Sequence, residues 1–198
     1  GCITKDIIPS IRTLNQEASL INTHNINNIV EAVEESFQGN VLEAVSYERL
    51  NKANLPKISS KKAIDIVPIA SGCVDHCSYC SVKLIKGHIY SFPETSIINQ
   101  IKKSVENGRK EIWLTSQDNG AYGLDQGEHK LPKLLNKILD EVPGDYKIRL
   151  GMANPGHIMK IADELLQIYQ DDRMFKFLHI PVESGNNEIL GKMNRKYN

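Results

Sequence analysis

Short apolar runs alternate with amphipathic stretches along most of this chain. Ile64–Ala70 is an apolar run of strand length, closed by Ser71-Gly72. Glu94–Asn107 sets Ile97, Ile98, Ile101 and Val105 on one helical face, with Asn107-Gly108 as its stop. The alternation then repeats. Strands are expected at Glu111–Thr115, Lys147–Gly151 and Phe175–Ile180, and helices at Leu131–Leu139, His157–Tyr169 and from Asn187 to Met193. The helix from His157 carries Ile158, Ile161, Leu165 and Ile168 on one face. A repeated strand–helix order specifies an α/β fold with a parallel sheet, and right-handed crossovers bring all the strand ends to one face. Four such units are too few to close a barrel, so the expectation is a partial (β/α) barrel over 64–198 that continues beyond Asn198.

The first forty residues follow a different pattern. Asn27 or Asn28 can cap a helix bearing Ile29, Val30, Val33 and Phe37, and Gly39 ends it. Residues 41–63 form a polar connector, with Leu55-Pro56-Lys57 as a breaker and Ser59-Ser60-Lys61-Lys62 as a solvated basic stretch. The chain starts at Gly1 and stops straight after a helical pattern, which is expected of a piece of a longer polypeptide.

Charge narrows the partners. With 24 basic and 24 acidic residues among 198, no electrostatic argument favours wrapping a long nucleic acid such as DNA, so any RNA contact must be local. No apolar run is long enough for a membrane span. The cysteines show no disulfide framework, and a reduced, cytoplasmic setting is expected.

Chemistry concentrates in Cys73-Val74-Asp75-His76-Cys77-Ser78-Tyr79-Cys80. The cysteines are separated by three residues and then two, and they follow the carboxyl end of a strand, where ligands bind in parallel α/β folds. Three thiolates on a [4Fe–4S] cluster leave one iron open to a small molecule. The alternative is a zinc site with His76 or Cys2 as fourth ligand, although zinc cysteines usually come in two separated pairs. Tyr79 is suited either to covering an adenine or cluster, or to plain packing.

Polar loops follow the other strands: Ser116–Gly120, Gly151–Pro155 and Pro181–Gly185. Together with the cysteine loop they are expected to ring one pocket, with Gln117, Asn154, Glu183, Ser184 and Arg195 as candidate lining residues. A carboxylate such as Glu183 can hold a ribose diol through two hydrogen bonds. Turn chemistry alone also accounts for many of these residue types. His179 is expected to point inward as a core histidine, and Lys83, Lys86 and His88 to lie exposed or against phosphates.

The cysteine loop resembles the radical S-adenosylmethionine signature. Glu111–Gly123, Arg149–Pro155 and Leu178–Gly185 are similar to the methylthiotransferase branch of that superfamily, and most similar to the archaeal and eukaryotic enzymes acting on threonylcarbamoyl-adenosine in tRNA. The resemblance implies a radical-SAM barrel preceded by the remnant of an N-terminal methylthiotransferase domain. It implies two [4Fe–4S] clusters, one on Cys73, Cys77 and Cys80 and an auxiliary one held through Cys2 and cysteines outside this chain. It further implies S-adenosylmethionine, a tRNA anticodon loop and an electron donor as partners. The implied reaction is hydrogen abstraction from C2 of the modified adenine, sulfur insertion and methylation. The sequence departs from the family at Glu183, where glutamine is usual.

Overall fold

The computed structural model describes residues 1–53, 55–58 and 63–198. The expected Ser59-Ser60-Lys61-Lys62 stretch falls outside the described residues. No helix among them is long and apolar enough to cross a membrane.

The chain divides into two compact units. The first comprises Gly1–Leu50 together with Ser81–Gly87. It holds helix α1 (Ile8–Leu14), strand β1 (Leu20–Ile21), helix α2 (Ile29–Phe37), strand β2 (Glu43–Ala44) and helix α3 (Val82–Lys86). β1 and β2 pair in parallel, Leu20 opposite Glu43. Helix α2 forms where its apolar residues predicted it, and Gly39 follows at a φ of 81°, a backbone that favours glycine. That face does not bury itself in this unit, however. Ile29, Val30, Val33 and Phe37 are exposed, and Ala32 is the buried residue of the helix. Ile29, Val33 and Phe37 line an apolar groove of about 560 Å³ with Ile21.

The second unit comprises Asn51–Cys80 and His88–Asn198. Its sheet is β3 (Ile64–Pro68), β6 (Glu111–Thr115) and β7 (Lys147–Leu150), all parallel, in that order. Between β3 and β6 lie β4 (Ala70–Ser71) and β5 (Tyr90–Ser91), an antiparallel pair, followed by helix α4 (Glu94–Glu106). Helix α5 (Leu131–Glu141) precedes β7; α6 (Pro155–Ile158), α7 (Ala162–Ile168) and α8 (Asn187–Lys192) follow it. Period-two patterning decides which side of the sheet is buried. Val67, Leu114 and Leu150 lie in register on one face, as do Asp65, Ile112 and Ile148, and all six are buried. Helices α4 and α5 pack together over that face, and α7 packs beside α5. Ile97, Ile101, Leu134, Leu135 and Ile138 from α4 and α5 are fully buried in the same core. The opposite face carries Ile66, Trp113 and Arg149 in register, with the Arg149 guanidinium 4.8 Å from the Trp113 ring centroid and 4.9 Å from that of Phe177.

Four expectations are corrected. Ile64–Ala70 is not one strand: it breaks at Ile69, and Ala70 turns to pair with Ser91. Phe175–Ile180 is not a regular strand. One parallel bridge, Ile148 to Met174, starts the pairing, and the Ala153 N–H still reaches His179 O at 3.0 Å. Phe177 folds its N–H back onto Phe175 O, which takes it out of a ladder, and Phe177 and Leu178 are exposed. His179 is likewise exposed rather than in the core, because its segment leaves the ladder after the single Ile148–Met174 bridge. The helix expected over His157–Tyr169 is divided into α6, a single 3₁₀ turn at Met159–Ile161, and α7. Its four apolar residues are buried as patterned.

Candidate functional site

The cysteine loop leaves the sheet where β3 ends. The Ile69 N–H donates to Thr115 O at 2.9 Å and the Phe92 N–H donates to Ile69 O at 2.8 Å, so the entry and exit of the insertion are clamped at its base. Gly72, at a φ of 81°, makes the turn into the loop, and its N–H donates to Gln117 Oε1 at 2.9 Å. Gln117 therefore joins the loop after β6 to Gly72, the residue that leads into the cysteine segment.

All four cysteines are free. Cys73 and Cys77 are half-buried, while Cys80 and Cys2 are exposed. Burial pushes the Cys73 thiol up to about 11, and the carboxylates of Asp75 and Asp118 add to the rise. The loop docks on the turn after α8. Ser78 N–H donates to Met193 O at 3.1 Å, Ser78 Oγ to Lys192 O at 2.8 Å, and Asn194 Nδ2 to His76 O at 2.6 Å. Asn194 adopts a φ of 56°, in the left-handed region that asparagine tolerates.

Arg195 is the centre of this contact. Its side chain is 6% exposed. Nη1 donates to Cys77 Sγ at 3.3 Å, Nη2 to Pro181 O at 3.1 Å, and Nε to Tyr197 Oη at 2.9 Å. Glu183 Oε1 accepts from Tyr79 Oη at 2.8 Å and lies 3.9 Å from Arg195. Glu183, at a φ of 60°, holds a conformation unusual for its residue type. Ser184 Oγ is occupied locally, accepting from the Asn186 N–H at 3.1 Å, which is turn chemistry. Of the five expected lining residues, Asn154, Glu183 and Arg195 bond to the cysteine loop and Gln117 to Gly72 just before it; Ser184 does not.

Asn154 leads to a cluster that sequence reasoning missed. Its Nδ2 donates to Asp75 Oδ2 at 2.7 Å, and its N–H donates to Asp118 Oδ1 at 3.0 Å. Asp118 Oδ1 also accepts from the Gly120 N–H at 2.9 Å. His157 Nε2 stands 3.3 Å from Asp75 Oδ2 and 3.7 Å from Asp118 Oδ2. The contact with His157 holds the Asp75 carboxyl below the ordinary carboxylate range, whereas burial pushes that of Asp118 up. The signal was present in the sequence: Asp118-Asn119-Gly120 and Asn154-Pro155-Gly156 are both Asx turns, each side-chain oxygen taking the N–H two residues on. Pro155 then starts α6 and carries His157 into the cluster.

Three free thiols on one loop are the donor chemistry that an iron–sulfur cluster takes. Among the described residues, the group of three or more metal-capable side chains with atoms within 4.8 Å of one another is Asp75, Asp118 and His157.

Comparison with known proteins agrees with this geometry. Residues 67–198 match the family model of the Radical SAM superfamily. The chain is 40% identical over 183 residues to a probable threonylcarbamoyladenosine tRNA methylthiotransferase of Pyrococcus horikoshii, covering 91% of this chain and 43% of that protein. A protein with the same description from Archaeoglobus fulgidus is 38% identical over 199 residues, covering 100% of this chain and 46% of the relative. The human threonylcarbamoyladenosine tRNA methylthiotransferase is 37% identical over 186 residues, covering 90% of this chain and 32% of that protein. The chain thus spans less than half the length of these relatives. Among solved structures, the radical S-adenosylmethionine methyltransferase TsrM from Kitasatospora setae superposes with a TM-score of 0.52 at 14% identity, over 69% of this chain and 26% of that one. That likeness bears on the fold. With three free cysteines spaced on a loop that leaves a parallel strand, and the matching family model spanning that loop and the sheet after it, the chain belongs to the radical SAM superfamily, which implies a [4Fe–4S] cluster and S-adenosylmethionine as its cofactors.

Proposed function

We propose that this chain carries the radical-SAM part of a tRNA methylthiotransferase that converts N6-threonylcarbamoyladenosine at position 37 to its 2-methylthio derivative. The observation that carries the reading is the 40% identity to a relative so described, extending over nine-tenths of the chain. Fold alone would not choose among radical reactions.

In this reading Cys73, Cys77 and Cys80 hold a [4Fe–4S] cluster. When bound with S-adenosylmethionine, that group supplies one-electron cleavage of the sulfonium. The chain's own residues position and shield. Arg195 fixes Cys77 through its N–H···S bond and ties the loop to Pro181. Gln117 sets the turn at Gly72, and Asn154 holds Asp75. The Glu183 carboxylate, bonded to Tyr79, offers two acceptor oxygens at the loop's edge, suited to a ribose diol. Cys2 belongs to an auxiliary cluster completed by cysteines outside this chain. The adenine must leave its stack to be reached, which fits a single-stranded anticodon loop rather than a duplex. An electron donor acts as partner, and the setting is cytoplasmic.

The test is anaerobic. The reconstituted protein, with S-adenosylmethionine and dithionite, is given tRNA bearing threonylcarbamoyladenosine or tRNA lacking it. With the full-length enzyme the reading expects 5′-deoxyadenosine release stimulated by the modified tRNA and a methylthio mass gain on that nucleoside; this chain alone should be inactive. Equal release with both tRNAs and no mass gain would assign the chain to a different radical reaction.

A further inference from the structure

The Asp75, Asp118 and His157 cluster lies beside the cysteines, includes no sulfur, and is built unlike a simple hydrogen-bond triad. His157 Nε2 carries at most one proton, yet it faces two carboxylate oxygens, at 3.3 Å and 3.7 Å. A charge-assisted bond to either would close to about 2.7–2.9 Å. Neither contact closes. Asp118 Oδ2 has no hydrogen-bond partner although its side chain is only 4% exposed. The oxygen is not mobile: Oδ1 of the same carboxylate is pinned by the N–H groups of Gly120 and Asn154, so Oδ2 is aimed at His157. Asp75 Oδ2 spends one lone pair on Asn154 and keeps another directed to the same point.

We propose that Asp75 Oδ2, Asp118 Oδ2 and His157 Nε2 bind one divalent cation of the manganese, iron(II) or zinc class, separate from the iron–sulfur cluster. The three atoms lie within 4.8 Å of one another. Ligands about 2.0–2.2 Å from a shared ion sit about 3–3.6 Å apart, close to the observed contacts. Two oxygens and an imidazole nitrogen suit borderline divalent metals. The ion satisfies the orphaned oxygen of Asp118 and neutralises two carboxylates that burial would otherwise set against each other. It also joins three segments, the cysteine loop through Asp75, the loop after β6 through Asp118 and the start of α6 through His157. Three protein ligands leave coordination positions for water or for an oxygen of a bound molecule. The site stands whether or not tRNA is the substrate.

The probe is Mn²⁺ alone, added anaerobically to protein already loaded with its iron–sulfur cluster, so the cysteines are occupied. Disappearance of the free Mn²⁺ electron paramagnetic resonance signal counts bound ions, and pulsed measurement detects nitrogen coupling. The expected result is one ion per chain, coupled to one imidazole nitrogen. Asp118→Asn and His157→Gln should each weaken uptake about tenfold or more. Asp140→Asn with Glu164→Gln, in the acidic groove that also holds Asp171, should leave it unchanged. No uptake by the native protein at about 1 mM Mn²⁺, a level set by carboxylate site affinities, would overturn the proposal. So would uptake without nitrogen coupling, or uptake abolished by the groove variant and not by His157→Gln.

Discussion

Asp65→Ala is the most informative single perturbation of the scaffold, because Asp65 lies on β3, the strand that delivers the cysteine loop. The residue is 3% exposed and stands in register with Ile112 inside the core. Its Oδ1 pairs with Lys57 Nζ at 2.6 Å and its Oδ2 accepts from Ser104 Oγ at 2.5 Å. The two partners respond differently to its loss. Ser104 Oγ keeps a bond to Gln100 O at 2.9 Å, and the Lys57 side chain, 42% exposed, can rehydrate. The cost is therefore below the 3–5 kcal/mol of breaking a wholly buried pair, at about 2–3 kcal/mol. Lys57→Ala should cost at least as much despite removing the more exposed member, since it strands the buried carboxylate. The assay is urea denaturation in reductant, followed by the fluorescence of Trp113, the single tryptophan, on the neighbouring strand β6. Its pH dependence follows from the charge. Burial alone would push the Asp65 carboxyl up, but Lys57 and Ser104 outweigh it and hold it below the ordinary range. A depressed carboxyl stabilises the fold fully above its unfolded value near 3.9 and loses that contribution as pH falls through the folded value. The difference between native and Asp65→Ala should thus be flat from about pH 5 to 8 and shrink below about pH 4. A loss under about 1 kcal/mol at pH 7, or a difference that grows in acid, would refute the reasoning.

Gly151→Ala places a Cβ 2.7 Å from Leu114 O and 2.8 Å from Asn119 Nδ2, and should cost about 2 kcal/mol in the same denaturation assay while lowering iron loading by moving the loop after β6. Arg195→Lys keeps the charge but loses the fork that joins Cys77, Pro181 and Tyr197; the expectation is a loss of about 1–2 kcal/mol and a lower cluster midpoint potential in a redox titration, since a donor to the sulfur is removed.

The parallel core was legible because its strands obey period two with few exceptions. Ile112 and Leu114, or Ile148 and Leu150, could point only one way once α4 and α5 covered that face. The failures have physical causes. Phe175–Ile180 has strand composition, but a strand needs a ladder, and beyond one bridge this segment satisfies its backbone in turns. The β4–β5 pair was invisible because two residues on each side, separated by the whole cysteine insertion, leave no periodic pattern. Arg195 arrives from the turn after α8, whereas the cysteine loop and the reach of Gln117, Asn154 and Glu183 toward it followed from strand-end placement. His157 did not, because one histidine at a helix start gains meaning only when Asp75 and Asp118 arrive from elsewhere in the chain.

The central claim is that Cys73, Cys77 and Cys80 together hold one iron–sulfur cluster. Anaerobic reconstitution with iron and sulfide, followed by metal analysis and Mössbauer spectroscopy, tests it most directly. The account predicts about four irons and four sulfides per chain, lost in Cys73→Ala, Cys77→Ala or Cys80→Ala and retained in Cys2→Ala. One tightly held zinc in place of iron, with no acid-labile sulfide, or full iron loading after removal of any loop cysteine, would contradict it.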